Sequence, residues 1–166
     1  MRLETGTFDS PIGTIRHATR DDHLVVLCFC ESWDKTVVDI ERHAGPVQWI
    51  EGTGGPVDHL LSRYFEGDIA ALDDIAVDLH GTEFQRRVWS ALRDIAAGTT
   101  ISYGELARRI GRPRAVRAVG AANGANPVSL VLPCHRVVGT SGTLTGYGGG
   151  LHRKQWLLVH EGAALL

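Results

Sequence analysis

Long apolar runs are missing from this sequence, and so is any cysteine-rich pattern. No stretch approaches the roughly 20 apolar residues that a membrane-spanning helix requires, and residues 1–4 do not begin a signal peptide. We therefore expect an intracellular protein that acts in the cytoplasm and not at a membrane. The three cysteines are an odd number, so they form no disulfide framework and are expected to be reduced thiols.

Internal repeats and low-complexity segments are also missing. The 43% hydrophobic and 22% charged residues are the proportions of an ordinary folded protein, which excludes a disordered or collagen-like chain. A length of 166 residues allows one domain of about 150 residues, or one full module with a small partner.

The net charge of −2 hides an asymmetry between the two halves of the chain. Residues 1–81 carry 6 Lys and Arg against 15 Asp and Glu, whereas residues 82–166 carry 11 against 4. A net charge of +7 in the second half predicts that this half alone meets a polyanion. Clustering of charges on solvated faces would give the same asymmetry, so charge by itself leaves both interpretations open.

Short apolar segments separated by turn residues predict an α/β domain for residues 1–81. The pattern favours strands at 5–8, 13–17, 24–30 and 75–79, and helices at 35–43 and 57–65. Cys28 and Cys30 lie two apart in one apolar run, so we expect both to be buried on the same side of a strand. No convincing set of four metal ligands is present, and we expect no metal.

Helical periodicity predominates from residue 82 onward. Thr82 is predicted to cap a helix that ends before Gly98, and Ser102 a second helix with Glu105 at the capping-box position. After a break at 111–113, a third helix is expected at 114–123. This arrangement is typical of a helix-turn-helix unit in a mostly α domain.

The third of these helices is almost entirely Ala, Gly and Val, with Arg114 and Arg117 as its long polar side chains. A helix this thin can approach another surface closely. Both a buried packing helix and a nucleic-acid surface fit the pattern, and the basic residues favour the latter.

The apolar run 128–132 is expected to be a buried strand. One cysteine follows a proline at its end, in the sequence Pro133-Cys134-His135-Arg136-Val137. A thiol acts as a nucleophile in its thiolate form, and an adjacent imidazole can take up the proton. A carboxylate such as Glu161 could orient that imidazole. A neighbouring Cys-His pair alone does not establish this chemistry.

The five residues 133–137 resemble the active-site motif of the 6-O-alkylguanine-DNA alkyltransferases, also called methylated-DNA–protein-cysteine methyltransferases. Further segments that resemble the family occur in the family's order, at 101–106, 117–120, 126–128, 146–151, 156–158 and 160–162. The resemblance is strong over residues 82–162, and over the first 81 it extends only to length and strand-helix outline. It implies a ribonuclease-H-like α/β domain at 1–81 and a winged-helix-like DNA-binding and active-site domain at 82–166.

The resemblance implies DNA repair by direct and irreversible transfer of a methyl or larger alkyl group from 6-O-alkylguanine to Cys134. No cofactor is expected, each molecule acts once, and activity on 4-O-alkylthymine stays open. His135 would take the Cys134 proton through a water molecule, with Glu161 stabilising the imidazolium. Tyr103 would protonate ring nitrogen 3 of the guanine, and Asn126 would brace the turn before the cysteine loop.

The expected partner is double-stranded DNA with an alkylated base, bound mainly through the minor groove by a monomer, while cooperative binding stays open. Arg117 would fill the gap left by the everted nucleotide. The other DNA-binding residues implied are Arg114, Ala118, Ala121 and Ala122. The substrate pocket implied consists of Val137, Tyr147, Gly148 and Gly149, and some relatives have serine where this chain has Gly148.

Three other functions share some of these features. Alkyltransferase-like proteins bind alkylated DNA without the cysteine, but Cys134 is present here. A winged-helix regulator would need more base-reading side chains than the thin helix offers. A cysteine hydrolase would leave Arg117 and the basic half without a role.

Overall fold

The computed structural model describes residues 1–164, which form two compact units. The first comprises Met1–Gly81 with Pro127–Val131, and the second comprises Thr82–Asn126 with the described residues from Leu132 onward. Residues 165 and 166, the end of the predicted C-terminal domain, lie outside the described residues. Within residues 1–164, no helix is long and apolar enough to cross a membrane.

A four-stranded sheet forms the centre of the first unit. Its strands are β1 (Arg2–Ser10), β2 (Gly13–Arg20), β3 (His23–Phe29) and β4 (Gln48–Glu51), in the order β3-β2-β1-β4. The first three are antiparallel neighbours, and β4 runs parallel to β1. Asp21 and Asp22 join β2 to β3 with φ of 49° and 63°, the left-handed pair that a two-residue hairpin turn requires.

Two helices cover opposite faces of this sheet. Leu3 and Ala18 face α1 (Trp33–Ala44) and pack with Trp33 into one hydrophobic cluster. The alternate residues of the same strands face α2 (Gly55–Phe65), where Phe8 stacks on Phe65 at 5.9 Å between ring centroids. The α/β character predicted for this half is present, although the sequence did not indicate β4.

The sequence was misleading at two places in this unit. The predicted strand at 75–79 is not formed. A single residue of this segment, Val77, pairs with the sheet, in a bridge to Leu24. Cys28 is buried, and burial raises the pKa of its thiol to about 11. Cys30 is exposed in a short 3₁₀ helix after β3 ends at Phe29, so the prediction that both cysteines are buried on one side is wrong.

The second unit is mostly helical. Its elements are α3 (Glu83–Leu92), β5 (Ile101–Ser102), α4 (Tyr103–Arg109), α5 (Val116–Gly124), β6 (Val137–Val138) and α6 (Leu151–His160). The two short strands pair in parallel. A 3₁₀ turn at Cys134–Arg136 directly precedes β6.

Side-chain caps begin the first two of these helices. The Thr82 hydroxyl accepts a hydrogen bond from the Gln85 amide at 3.0 Å, and the Gln85 side chain accepts one from the Thr82 amide at 2.9 Å, which completes a capping box. Ser102 accepts from the amide of Glu105, whose carboxylate instead pairs with Arg108.

Two expectations for this half need correction. Helix α5 begins at Val116, so Arg114 precedes it, since Gly111 is left-handed at φ 73° and Ala115 closes a tight turn onto Arg112. The apolar run 128–132 is not a strand, because a single bridge between Val128 and Leu27 is followed by Leu130 at φ 70°. The cysteine therefore follows an irregular buried segment.

Candidate active site

Cys134 opens the 3₁₀ turn before β6 and is only 5% exposed. Its amide donates to the Leu132 carbonyl at 2.8 Å, and its own carbonyl accepts from the Asn123 side chain at 3.4 Å. Asn126 donates to the same Leu132 carbonyl at 2.7 Å. The two asparagines near the end of α5 thus hold the backbone on both sides of the sulfur-bearing residue.

The side chains that follow the cysteine converge on one buried carboxylate. His135 Nε2 donates to Glu161 Oε1 at 2.9 Å, and Glu161 lies at the C-terminal end of α6. Arg136 binds the same carboxylate through two nitrogens, Nε to Oε1 at 2.8 Å and a terminal nitrogen to Oε2 at 2.9 Å. Its other terminal nitrogen donates to the Ile95 carbonyl at 2.6 Å. The predicted pairing of His135 with Glu161 is present, with an arginine added to it.

This arrangement sets the charge state of each group. Burial raises the pKa of the Glu161 carboxyl, but the hydrogen bonds from His135 and Arg136 outweigh that effect and leave it far below its usual range. Burial lowers the pKa of His135, and this exceeds the opposing effect of Glu161. Because Arg136 already neutralises the carboxylate, we take His135 to be neutral at neutral pH, with its proton on Nε2 and a lone pair on Nδ1. That Nδ1 atom is buried without a partner among the described residues.

A second buried cation lies close to the cysteine. Lys154 is fully buried in α6 and donates to the carbonyls of Val137 at 2.6 Å and Thr145 at 2.8 Å. Burial lowers the pKa of its ammonium to about 8, while the electrostatic influence of Cys134 raises it. A positive charge within reach of the sulfur favours its thiolate form.

Tyr103 and the predicted substrate residues lie on three segments of the second unit. Tyr103 begins α4, and its hydroxyl donates to the Thr145 carbonyl at 3.5 Å, while the Lys154 ammonium lies 6.0 Å from its ring centroid. Val137 is buried in β6, Tyr147 is half-buried in the loop before α6, and Gly148 is exposed.

The loop glycines differ in their backbone conformation. The left-handed glycines of this segment are Gly146 and Gly150, at φ 30° and 93°, and not Gly148. A Cβ built at Gly148 has no atom within 4 Å. Gly149 accepts a hydrogen bond from Arg153 at 3.1 Å.

Helix α5 presents a mostly small-residue face to solvent. Arg117, Ala118 and Ala121 are exposed, and Arg114 is exposed in the turn before the helix. Ala122 is buried, and its carbonyl accepts from the Trp89 indole at 2.7 Å. Ala122 therefore lies off the exposed face that carries the other two alanines.

Sequence reasoning gave no role to Arg136, Lys154 or Asn123. A signal for Lys154 was available, because residues at 154, 157, 158 and 161 share one face of a helix. Lys154 and Glu161 lie on the same helix face as the apolar Leu157 and Leu158, and this position indicates that both charges are buried. Among residues 1–164, no group of three or more His, Cys, Asp or Glu could hold a metal ion.

Replacing Arg136 by methionine is expected to lower the free energy of unfolding by about 3–5 kcal/mol, since it leaves a buried carboxylate without its main partner. The double variant Arg136→Met/Glu161→Gln should recover part of that loss because no charge is then left unpaired. Urea unfolding at pH 7 measures both. An equal loss in the single and double variants would show that packing, and not the ion pair, carries the effect.

Comparison with known proteins points to one family of relatives. A family model described as "6-O-methylguanine DNA methyltransferase, DNA binding domain" matches residues 83–163. The chain is 54% identical over 125 residues to the methylated-DNA–protein-cysteine methyltransferase of Salmonella typhimurium, covering 75% of this chain and 73% of the relative. It is 49% identical over 162 residues to the one of Mycolicibacterium paratuberculosis, covering 96% and 92%.

A solved structure shows the same fold. The crystal structure of Mycobacterium tuberculosis OGT in complex with DNA superposes with a TM-score of 0.79 at 40% identity, covering 98% of this chain and 93% of that one. With relatives at this identity over most of its length, the chain belongs to the family of methylated-DNA–protein-cysteine methyltransferases.

Proposed function

We propose that this protein repairs DNA by moving an alkyl group from the 6-oxygen of guanine to the sulfur of Cys134. The observation that carries the proposal is a buried cysteine followed by a histidine whose partner carboxylate is already neutralised by Arg136, in a chain of this family. The names of its relatives favour this chemistry over DNA binding without transfer.

The reaction is a direct displacement at the alkyl carbon. The Cys134 thiolate forms the new sulfur–carbon bond, the oxygen–carbon bond breaks, and its electron pair leaves with the guanine. The thioether has no hydrolytic or reductive route back, so each molecule acts once. Neither a cofactor nor a metal is needed, because the acceptor is the protein's own sulfur.

Two buried groups prepare the thiolate. A neutral His135 offers the lone pair of Nδ1 to a water molecule that accepts the thiol proton. Glu161 then stabilises the imidazolium through the 2.9 Å hydrogen bond to Nε2. The Lys154 ammonium stabilises the sulfur anion itself.

Tyr103 supports the departure of the guanine. Negative charge develops on the ring as the oxygen–carbon bond breaks, and a phenol that donates to ring nitrogen 3 strengthens its hydrogen bond at that moment. Among the described residues this hydroxyl donates one hydrogen bond, a long one of 3.5 Å to the Thr145 carbonyl, which a substrate can replace. Val137, Tyr147, Gly148 and Gly149 form the pocket in this proposal.

The pair α4 and α5 acts as a helix-turn-helix in a winged-helix-like domain, with α5 in the minor groove. The support is the exposed small-residue face of α5 beside Arg117, since a groove about 6 Å wide admits backbone only where side chains are short. Arg117 replaces the everted nucleotide in the stack, and Arg114 contacts phosphate. Binding is then weakly sequence-dependent and strongly salt-dependent.

We further assign a ribonuclease-H-like fold to the first unit, supported by its mixed sheet with one helix on each face. The protein is assigned as a cytoplasmic monomer that works on the nucleoid.

Incubation with an oligonucleotide duplex bearing 6-O-methylguanine is expected to add one methylene mass (CH₃ for H) to the intact protein. Peptide mapping by mass spectrometry should locate it at Cys134. The Cys134→Ser variant should gain no mass while it still binds the duplex. An unmodified wild-type protein after prolonged incubation would refute the proposed function.

Lys154→Met is expected to shift the pH dependence of Cys134 alkylation by iodoacetamide upward by roughly one pH unit, because the thiolate loses a nearby positive charge. Lys154→Arg is the matched control, since it keeps a positive charge, and should restore most of the shift. Loss of reactivity without a change in the pH profile would mean that Lys154 acts only through the carbonyls it binds.

Arg117→Ala is expected to slow repair of duplex DNA by about tenfold or more while reaction with free 6-O-methylguanine base stays unchanged, since eversion costs a few kcal/mol. Arg112→Ala serves as a control for loss of one exposed positive charge, because Arg112 lies in the turn before α5. Single-turnover rates measure both. Equal slowing on duplex and free base would contradict the role in eversion.

A further inference from the structure

The first unit contains a cavity of about 580 Å³ that the proposed alkyl transfer does not use. Its walls are the face of β1 and β2 that bears Glu4 and His17, the loop 52–55 before α2, and residues 74–76. The volume falls within the roughly 300–1,000 Å³ typical of sites for small molecules. Every lining residue belongs to the first unit.

The charge of this cavity has one sign. The carboxylates of Glu4, Asp22 and Asp74 line it, and no Lys or Arg is among its lining residues. Within residues 1–164 these three carboxylates form no ion pair, whereas Asp78 on the same unit pairs with Arg20. Three uncompensated carboxylates around one cavity favour a cationic occupant.

The beginning of α2 is unsuited to an anion. Helix N-termini attract anions, but this one already holds a carboxylate of the protein, since Asp58 lies in the first turn of α2. Its Oδ2 atom occupies the space above Gly54, 2.0 Å from where a Cβ of that residue would stand. A phosphate or carboxylate ligand would meet Asp58 in that place.

His17 lies in the wall of the cavity. Its ring is 2% exposed and donates from Nε2 to Asp58 Oδ1 at 2.7 Å. Its Nδ1 atom is buried and has no hydrogen-bond partner among the described residues. The carboxylates of Glu4, Asp22 and Asp74 accept hydrogen bonds, so they favour a ligand rich in N–H donors.

The remaining wall is apolar and is formed by Pro56, Val57, Leu60 and Ile75. An aliphatic chain fits such a wall, while its charged end meets the carboxylates. We propose that this cavity binds a small organic cation, an ammonium or guanidinium group on an aliphatic body. Such a group belongs either to a free amine or to a lysine or arginine side chain of a peptide. The inference goes beyond the proposed alkyl transfer and does not depend on it.

Isothermal titration calorimetry tests the proposal on the full chain, without DNA. Agmatine and cadaverine are the free-amine probes, N-acetyl-arginine amide is the side-chain probe, and inorganic phosphate is the anionic control. At least one cationic probe is expected to bind saturably with one site per chain. Its relative affinity against the others distinguishes a free amine from a peptide side chain.

The double variant Asp22→Asn/Asp74→Asn should weaken that binding at least tenfold. The matched control is Asp21→Asn/Asp73→Asn, which removes the same charge from the two neighbouring exposed residues outside the lining. Asparagine tolerates the left-handed backbone at both positions of the hairpin turn, so both variants are expected to fold. Cys134→Ser should bind the probes as the wild type does.

Three results would overturn the proposal. They are the absence of saturable binding by all three cations, equal weakening by the two double variants, and binding of phosphate in place of the cations. Failure of alkyl transfer in the DNA assay leaves these measurements unaffected, because they need neither Cys134 nor an alkylated base.

Discussion

The carboxylate of Glu161 is the group on which the geometry of the active-site unit depends. It is fully buried, and three hydrogen bonds from His135 and Arg136 fix it from two sides. Arg136 extends the connection to the Ile95 carbonyl beyond the end of α3. A buried charge is tolerated only where its partners are in place, so the end of α6, the 3₁₀ turn and the segment after α3 are held in one arrangement. The cysteine is positioned as a consequence, since it is the first residue of that turn.

The two buried cations, Arg136 and Lys154, each act on a different anion. Arg136 compensates Glu161, which leaves His135 neutral and able to accept a proton, whereas Lys154 lies within electrostatic reach of the sulfur. A single cation shared between the Cys134 thiolate and the Glu161 carboxylate would stabilise each anion less than a cation of its own does. Lys154 is the single lysine of residues 82–166, where the other ten basic residues are arginines. Burial lowers the pKa of the Lys154 ammonium to about 8. A lysine can therefore lose or gain its proton when the charge of the sulfur changes, whereas a guanidinium stays protonated.

The elements set by local chemistry could be predicted from the sequence, and those set by distant contacts could not. Thr82 and Ser102 cap helices because their hydroxyls reach amides three residues away. The pairing of His135 with Glu161 followed from a family motif. The second partner of Glu161 could not be predicted in this way, because Arg136 reaches the carboxylate across 25 residues of the chain. The run 128–132 is as apolar as a buried strand, but it is irregular. Its apolar side chains require burial, and burial does not require pairing with a sheet. Ala122 differs from Ala121 only by facing the Trp89 side of α5, which composition cannot reveal.

The distribution of charge differs between the two halves of the chain. Ten arginines and one lysine accompany four acidic residues in 82–166, and three of these charges, Arg136, Lys154 and Glu161, are buried in the active site. The exposed arginines are the ones that phosphates can reach. Residues 1–81 carry nine more acidic than basic residues, a balance that opposes contact with DNA. An excess of negative charge repels a polyanion, which agrees with the proposal that DNA binds the unit carrying the cysteine.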